Sequence, residues 1–287
     1  MHIPSSMLHG AICPVTAAVS VAGIAGASYF AYRCSEKPTA SSFGAVTAMI
    51  FAVQMFNYPV THGTSGHLLA GVIAASILGI PFAVLSMAIV LSTQAIFFAD
   101  GGLNTLGANI LNMGLIGTGL GGGILCFLSK NNVNRTFALG MASWLSVVLA
   151  AVACSVELSV SGTISFKDVL PAMVGVHTLI GIGEAIAAVT LSSILVKGYA
   201  KPSMILALAA AMLSPLSSQL PDGLMWVSAQ MSFPISKSFS YQALMMNYDV
   251  PILGLGVFSK IAAALAGIFL VFISATAVRG LIRRFSF

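Results

Sequence analysis

Residues 137–156 read FALGMASWLSVVLAAVACSV, twenty positions without one charged side chain. Twenty residues of α-helix rise about 30 Å, the thickness of a bilayer's hydrocarbon core. A run apolar on every side has no face to offer water, so it reads as a buried or membrane-spanning helix. Working outward, comparable runs fall near 10–32, 41–58, 67–80, 82–98, 106–128, 170–196, 203–219 and 251–278. The expected fold class is therefore an all-α integral membrane protein, a polytopic helical bundle of about nine transmembrane helices. The runs 67–80 and 82–98 are short and meet at Gly79-Ile80-Pro81, so tilted or partly re-entrant segments would change that count by one or two.

The whole chain carries the same signature. Of 287 residues, 12 are Lys or Arg and 7 are Asp or Glu, about 7% charged, where a soluble globular chain carries about 25%. Apolar types make up 58%, and the mean hydropathy is +1.00. So few polar side chains cannot coat a water-soluble surface, and so much apolar surface excludes disorder. The formal net charge of +5 comes from basic residues scattered singly between apolar runs, which is not a nucleic-acid footprint. Cys13, Cys34, Cys126 and Cys154 are isolated, with no CxxC, so they read as small apolar side chains and not as a thiolate site.

Arg33 and Lys37 follow the first run, Lys130 and Arg135 the fifth, Lys197 and Lys201 the seventh, and Arg279, Arg283 and Arg284 the ninth. Alternate connections thus hold nine of the twelve basic residues, and the other side holds Lys167, Lys237 and Lys260 with most of the acids. The positive-inside rule places the N-terminus outside and the C-terminus in the cytoplasm of a cell (inner or plasma) membrane. Met1-His2-Ile3-Pro4 lacks a basic leader and a cleavage site, so the first run is expected to be retained. His2 is too large for methionine removal, so a free amine on Met1 is expected.

The Met1 amine, the Met1–His2 amide nitrogen and the His2 ring nitrogen Nδ1 can chelate one metal ion in a plane, with one position open. Planar nitrogen ligation suits Ni(II) or Cu(II), whereas Zn(II) prefers a tetrahedron. A second polar cluster runs from Asn57 to Leu69 and holds His62 and His67, with Gly63 and Gly66 permitting a tight turn. Its residues read either as ligands or as polar groups at a wet interface. No HExxH occurs, which disfavours an intramembrane zinc hydrolase.

Five ordered motifs carry a family resemblance: Met1-His2-Ile3-Pro4, Gly63-Thr64-Ser65-Gly66-His67-Leu68, Phe98-Ala99-Asp100-Gly101-Gly102-Leu103, Leu106 through Met113, and Gly175 through Ala185. Together they resemble the substrate-specific S component of nickel/cobalt energy-coupling-factor transporters, the NikM/CbiM family, over about residues 1–200. Residues 201–287 resemble its small two-helix partner, NikN, with Pro221-Asp222-Gly223-Leu224-Met225 in place of a Pro-Asp-Gly-Leu-Glu motif. The resemblance implies two domains, 1–200 for metal binding and 201–287 for the NikN-like part with its outer loop.

It also implies that Met1, His2 and His67 together hold the metal, and that the N-terminal segment tucks into the bundle from outside. Here Ser5 and Ser6 replace the family's usual acidic residue and glycine. His62 and His9 are additional histidines, read either as outer capture residues or as interfacial ones. His177 and Glu184, two turns apart inside one run, read either as a polar network orienting His67 or as a structural hydrogen-bonding pair. Asn109 and Asn112 invite the same two readings.

Gly117 through Gly123 contains a formal GxGxxG, but it lies inside an apolar run and follows no strand, so close helix packing explains it better. No GxxxxGK[ST] occurs. Energy must therefore come from partners or an ion gradient; the resemblance implies a transmembrane coupling (T) subunit and P-loop ATPases as partners, and membrane lipid surrounds the chain. The function expected is capture of Ni(II) for import, with Co(II) second. The chain is not expected to be an enzyme, and it needs no cofactor beyond the transported ion. The rivals are a proton-coupled carrier relaying through His177 and Glu184, and an intramembrane metallohydrolase.

Overall fold

A computed structural model describes residues 2–195, 199–233 and 241–284. Met1, Lys197 and Lys237 lie outside the described residues, as do the side chains of His62 and Arg284. The described chain is mostly helical, as a bilayer requires, because only intrasegment hydrogen bonds satisfy a lipid-facing backbone.

The helices are α1 (Ile12–Arg33), α2 (Ala40–Gln54), α3 (Gly71–Leu78), α4 (Ile80–Phe98), α5 (Leu106–Lys130), α6 (Arg135–Val160), α7 (Phe166–Ile194), α8 (Ala200–Leu216), α9 (Gly223–Gln230) and α10 (Val257–Arg284). Among the described residues six of these, α1, α4, α5, α6, α7 and α10, are long and apolar enough to cross a membrane, and α2 and α8 are shorter apolar helices. The expected third run shortens to α3, whose eight residues rise about 12 Å against the roughly 30 Å a span needs. The cause lies at both ends. Residues 65–67 are spent on a strand, and Gly79 at φ +81° ends α3 before Pro81 opens α4.

The core runs through α2 and α4. Nearly every α2 side chain from Phe43 to Ala52 is buried, because α8 and α10 pack on it from two sides. Helices α6 and α7 form the other close pair. The glycines of α5 serve helix contact, as expected: a Cβ on Gly121 would come within 2.9 Å of Ser146 and Val72.

Two irregular regions meet at one end of this frame. One is residues 2–11, where Ile3, Met7 and Leu8 are buried against α5, α6, α7 and α9. Burial of these three side chains contributes about 1.5–3 kcal/mol each. The other is a hairpin of β1 (Asn57–Pro59) and β2 (Ser65–His67), paired antiparallel with Asn57 opposite His67 and Pro59 opposite Ser65.

Candidate metal centre

His2 is fixed through its neighbour. The Ile3 N–H donates to Asn109 Oδ1 at 2.8 Å, and the Ile3 carbonyl accepts from the Thr105 hydroxyl at 2.6 Å and from the Gly102 N–H at 3.0 Å. Gly102 makes this approach possible, since a Cβ there would lie 2.4 Å from the Ser5 nitrogen. The His2 side chain, 5% exposed, then points Nε2 at Gln94 Oε1 (3.2 Å) and Nδ1 at Asp100 Oδ1 (3.3 Å). Gln94 opens a five-residue π-helical turn at the end of α4, an irregularity common at functional sites.

His67 arrives from the hairpin. Its Nδ1 faces the Leu68 carbonyl at 3.3 Å, which favours a proton on Nδ1 and leaves the lone pair on Nε2. The His2 and His67 rings stack with centroids 5.0 Å apart. Burial lowers the pKa of both imidazoles, that of His67 well below its ordinary value, so both stay neutral and able to ligate.

The chain beyond α8 completes the site. The Ser65 N–H donates to the Pro221 carbonyl at 2.8 Å, and Ser65 pairs with Asp222 as a short parallel bridge. The Ser65 hydroxyl donates to the Leu220 carbonyl at 2.7 Å. Asp222 caps α9 by accepting from the Met225 N–H at 2.8 Å. Burial works against the Asp222 carboxylate, but its electrostatic surroundings and the Met225 N–H it accepts hold its pKa well below the usual range. His2, His67, Asp100 and Asp222 all line a polar cavity of about 310 Å³.

The supporting residues separate into two groups. Glu184, from α7, accepts the N–H groups of Leu69 (2.6 Å) and Ala70 (2.7 Å). Ala70 sits in the left-handed region at φ 57°, strained for a residue with a Cβ, and the carboxylate holds it there. His177 Nδ1 donates to the Met173 carbonyl (2.8 Å), and the ring shares a cavity of about 20 Å³ with His67 and Asp222. Asn109 clamps Ile3. Asn112 instead donates to Glu157 Oε2 at 2.6 Å, away from both histidines. The His9 N–H donates to Ser161 Oγ, and His9 is not among the residues lining the polar cavity.

Asp100, Gln94, Gln54 and Asp222 form part of the site without having been singled out as site residues from sequence. Asp100 and Asp222 stood inside the quoted motifs, and an acid within an otherwise apolar motif was the available signal. The two glutamines carried none.

Six apolar helices of spanning length make this a multi-pass membrane protein, and two stacked imidazoles face its polar cavity. The chain belongs to the CbiM family, whose model, described as the cobalt uptake substrate-specific transmembrane region, matches residues 2–202. It is 32% identical over 254 residues to an Archaeoglobus fulgidus protein that carries the provisional name fused nickel transport protein NikMN, covering 88% of this chain and 80% of that one. The cobalt transport protein CbiM of Sorangium cellulosum is 29% identical over 195 residues, 65% of this chain and 87% of that one. A crystal structure of a truncated transition metal transporter superposes with a TM-score of 0.62 at 28% identity, over 69% of this chain and 99% of that one. The chain is thus an S component of the NikM/CbiM type with a NikN-like part fused behind it, a transport component.

Proposed function

We propose that this chain captures Ni(II), with Co(II) second, for an ATP-driven importer of the energy-coupling-factor type. His2 and His67 ligate the ion, and the Met1 amine and the Met1–His2 amide complete a planar set of four nitrogens. The observation that carries this reading is the 5.0 Å separation of the two imidazoles, from positions 65 residues apart, in one cavity. An imidazole bound at about 2 Å has its centroid about 3 Å from the ion. Neighbouring coordination positions then separate two centroids by about 4.5 Å and opposite ones by about 6 Å, so 5.0 Å suits neighbours. Ni(II) favours planar nitrogen ligation, and Cu(II) would bind at least as well, so availability contributes to selection.

The remaining parts of the proposal follow from the charge pattern and the resemblance. Residues 1–200 form the metal-binding part and 201–287 the NikN-like part, in a bundle of about nine membrane segments with the N-terminus outside and the C-terminus cytoplasmic. A coupling subunit and P-loop ATPases supply the energy. Glu184 and His177 speak against the proton-carrier rival, since Glu184 is occupied by two backbone N–H groups and His177 Nδ1 by Met173. Nickel uptake by cells expressing the complex tests the class. It should stop when ATP is depleted and persist when the proton gradient alone is collapsed; the reverse pattern would leave the carrier reading.

A further inference from the structure

We propose that the polar cavity before the two histidines is an antechamber, in which Asp100, Asp222 and the Gln54 carbonyl hold the incoming divalent cation with its water shell. This rests on His2 and His67 being the ion's destination. A cation with six waters occupies about 200 Å³ at roughly 30 Å³ per molecule. The cavity's volume of about 310 Å³ accommodates it.

The walls are suited to such an ion. The Asp100 side chain is 27% exposed against 5% for His2, so an arriving cation meets the carboxylate before the imidazole. Its Oδ2 accepts the Tyr248 hydroxyl at 2.5 Å, which aims Oδ1 toward His2 Nδ1. Gln54 is 2% exposed and reaches the same cavity. Its Nε2 donates to the Leu69 carbonyl at 3.0 Å, which fixes the amide's orientation and leaves Oε1 without a partner among the described residues. A buried acceptor left unpaired is costly, and a water of the ion's shell is the donor it lacks. Among the described residues no three His, Cys, Asp or Glu side chains converge to ligate an ion directly, so the oxygens act on its waters.

Charge completes the case. Among the described residues two carboxylates, Asp100 and Asp222, and one ammonium, Lys260, line the cavity, and the carboxylates attract an arriving cation. Hydrated divalent ions are held by oxygen, and nitrogen ligands then select the metal that sheds its waters. Asp100 comes from the connection between α4 and α5 and Asp222 from the chain beyond α8, so the antechamber needs both parts of the chain.

The test uses the full chain with a C-terminal tag and Mn(II) as probe, because Mn(II) keeps its waters and is read by electron paramagnetic resonance. His67→Ala removes the nitrogen site and should still bind Mn(II) with a water-rich spectrum. Asp100→Asn still accepts from Tyr248 and Asp222→Asn still caps α9, so both should fold. Each should weaken Mn(II) binding about tenfold and slow nickel association in stopped flow by a similar factor. Absence of Mn(II) binding in His67→Ala, or indifference to both Asn substitutions, would overturn the proposal. Failure of the nitrogen site would show separately, as equal nickel content in wild type and His67→Ala.

Discussion

Glu184 holds the left-handed Ala70 by a 2.7 Å bond from its carboxylate to the Ala70 N–H, and a second oxygen takes the Leu69 N–H at 2.6 Å. The carboxylate therefore sets where the chain leaves His67. Glu184→Gln keeps one acceptor and loses the other, together with the charge. It should destabilise the protein by about 1–3 kcal/mol and reduce uptake, while bound nickel keeps nitrogen-only coordination. Thermal unfolding in detergent and the X-ray absorption spectrum check both. A carboxylate oxygen present in wild type and absent from the variant would place Glu184 on the ion itself.

Two histidines of the same loop should separate cleanly. His67→Ala removes a nitrogen ligand and should lower purified nickel content at least tenfold. His62→Ala should lower it mildly or not at all. Metal analysis of both proteins beside wild type is sufficient, and equal losses would mean that the loop, not His67, matters.

Acid provides another check. Nickel binding needs unprotonated imidazoles, and burial lowers the pKa of His2 and His67 from 6.5. The two rings should therefore stay unprotonated just below pH 6.5, where free imidazole is already protonating, which leaves the amine and amide protons to set the pH of nickel release. The metal-free protein follows the same sign. Unfolded histidines take up protons near 6.5 that the folded ones refuse, so the contribution of His2 and His67 to stability is flat above that pH and falls below it. Ring-proton NMR of the metal-free protein from pH 7.5 to 5 reads the first effect, and protonation of either ring with a midpoint at or above 6.5 would contradict it.

Gly223 is pinned between the two parts of the chain. A Cβ there would meet Ile180 Cδ1 at 2.8 Å and the His177 ring at 3.0 Å. Gly223→Ala should push the 221–223 turn off β2 at about 1–3 kcal/mol and reduce nickel retention, since Asp222 moves with it. Wild-type melting temperature and nickel content would show that the turn is not seated against α7.

The membrane class was legible because twenty uncharged residues at 137–156 admit few other readings, and the family because its motifs stand in order along the chain. His2 and His67 could be paired only through that resemblance, since nothing in their spacing brings positions 65 residues apart together. The seam between Ser65 and Pro221 was not legible: it is made of backbone groups 156 residues apart, and backbone bonding leaves no mark on side-chain pattern. Sequence left two readings of Asn112 open, and its hydrogen bond is of the structural kind. One helical turn from Asn109, it faces a different neighbour, Glu157, because part of α5 there is π-helical and turns its faces out of the usual register. The short α3 was hidden by apolarity, which a strand leading into a helix shares with a span.

The nickel K-edge X-ray absorption spectrum of the purified full-length protein, with its N-terminus free and any tag at the C-terminal end, tests the central claim most directly. The account predicts four-coordinate planar nickel with nitrogen donors only, including two imidazoles, and the loss of one imidazole's scattering in His67→Ala. It also predicts that inserting one Ala between Met1 and His2, which keeps every side chain but changes the chelate, removes His67 from the coordination sphere. Oxygen-dominated six-coordinate nickel in wild type, or the same spectrum in wild type and His67→Ala, would contradict it.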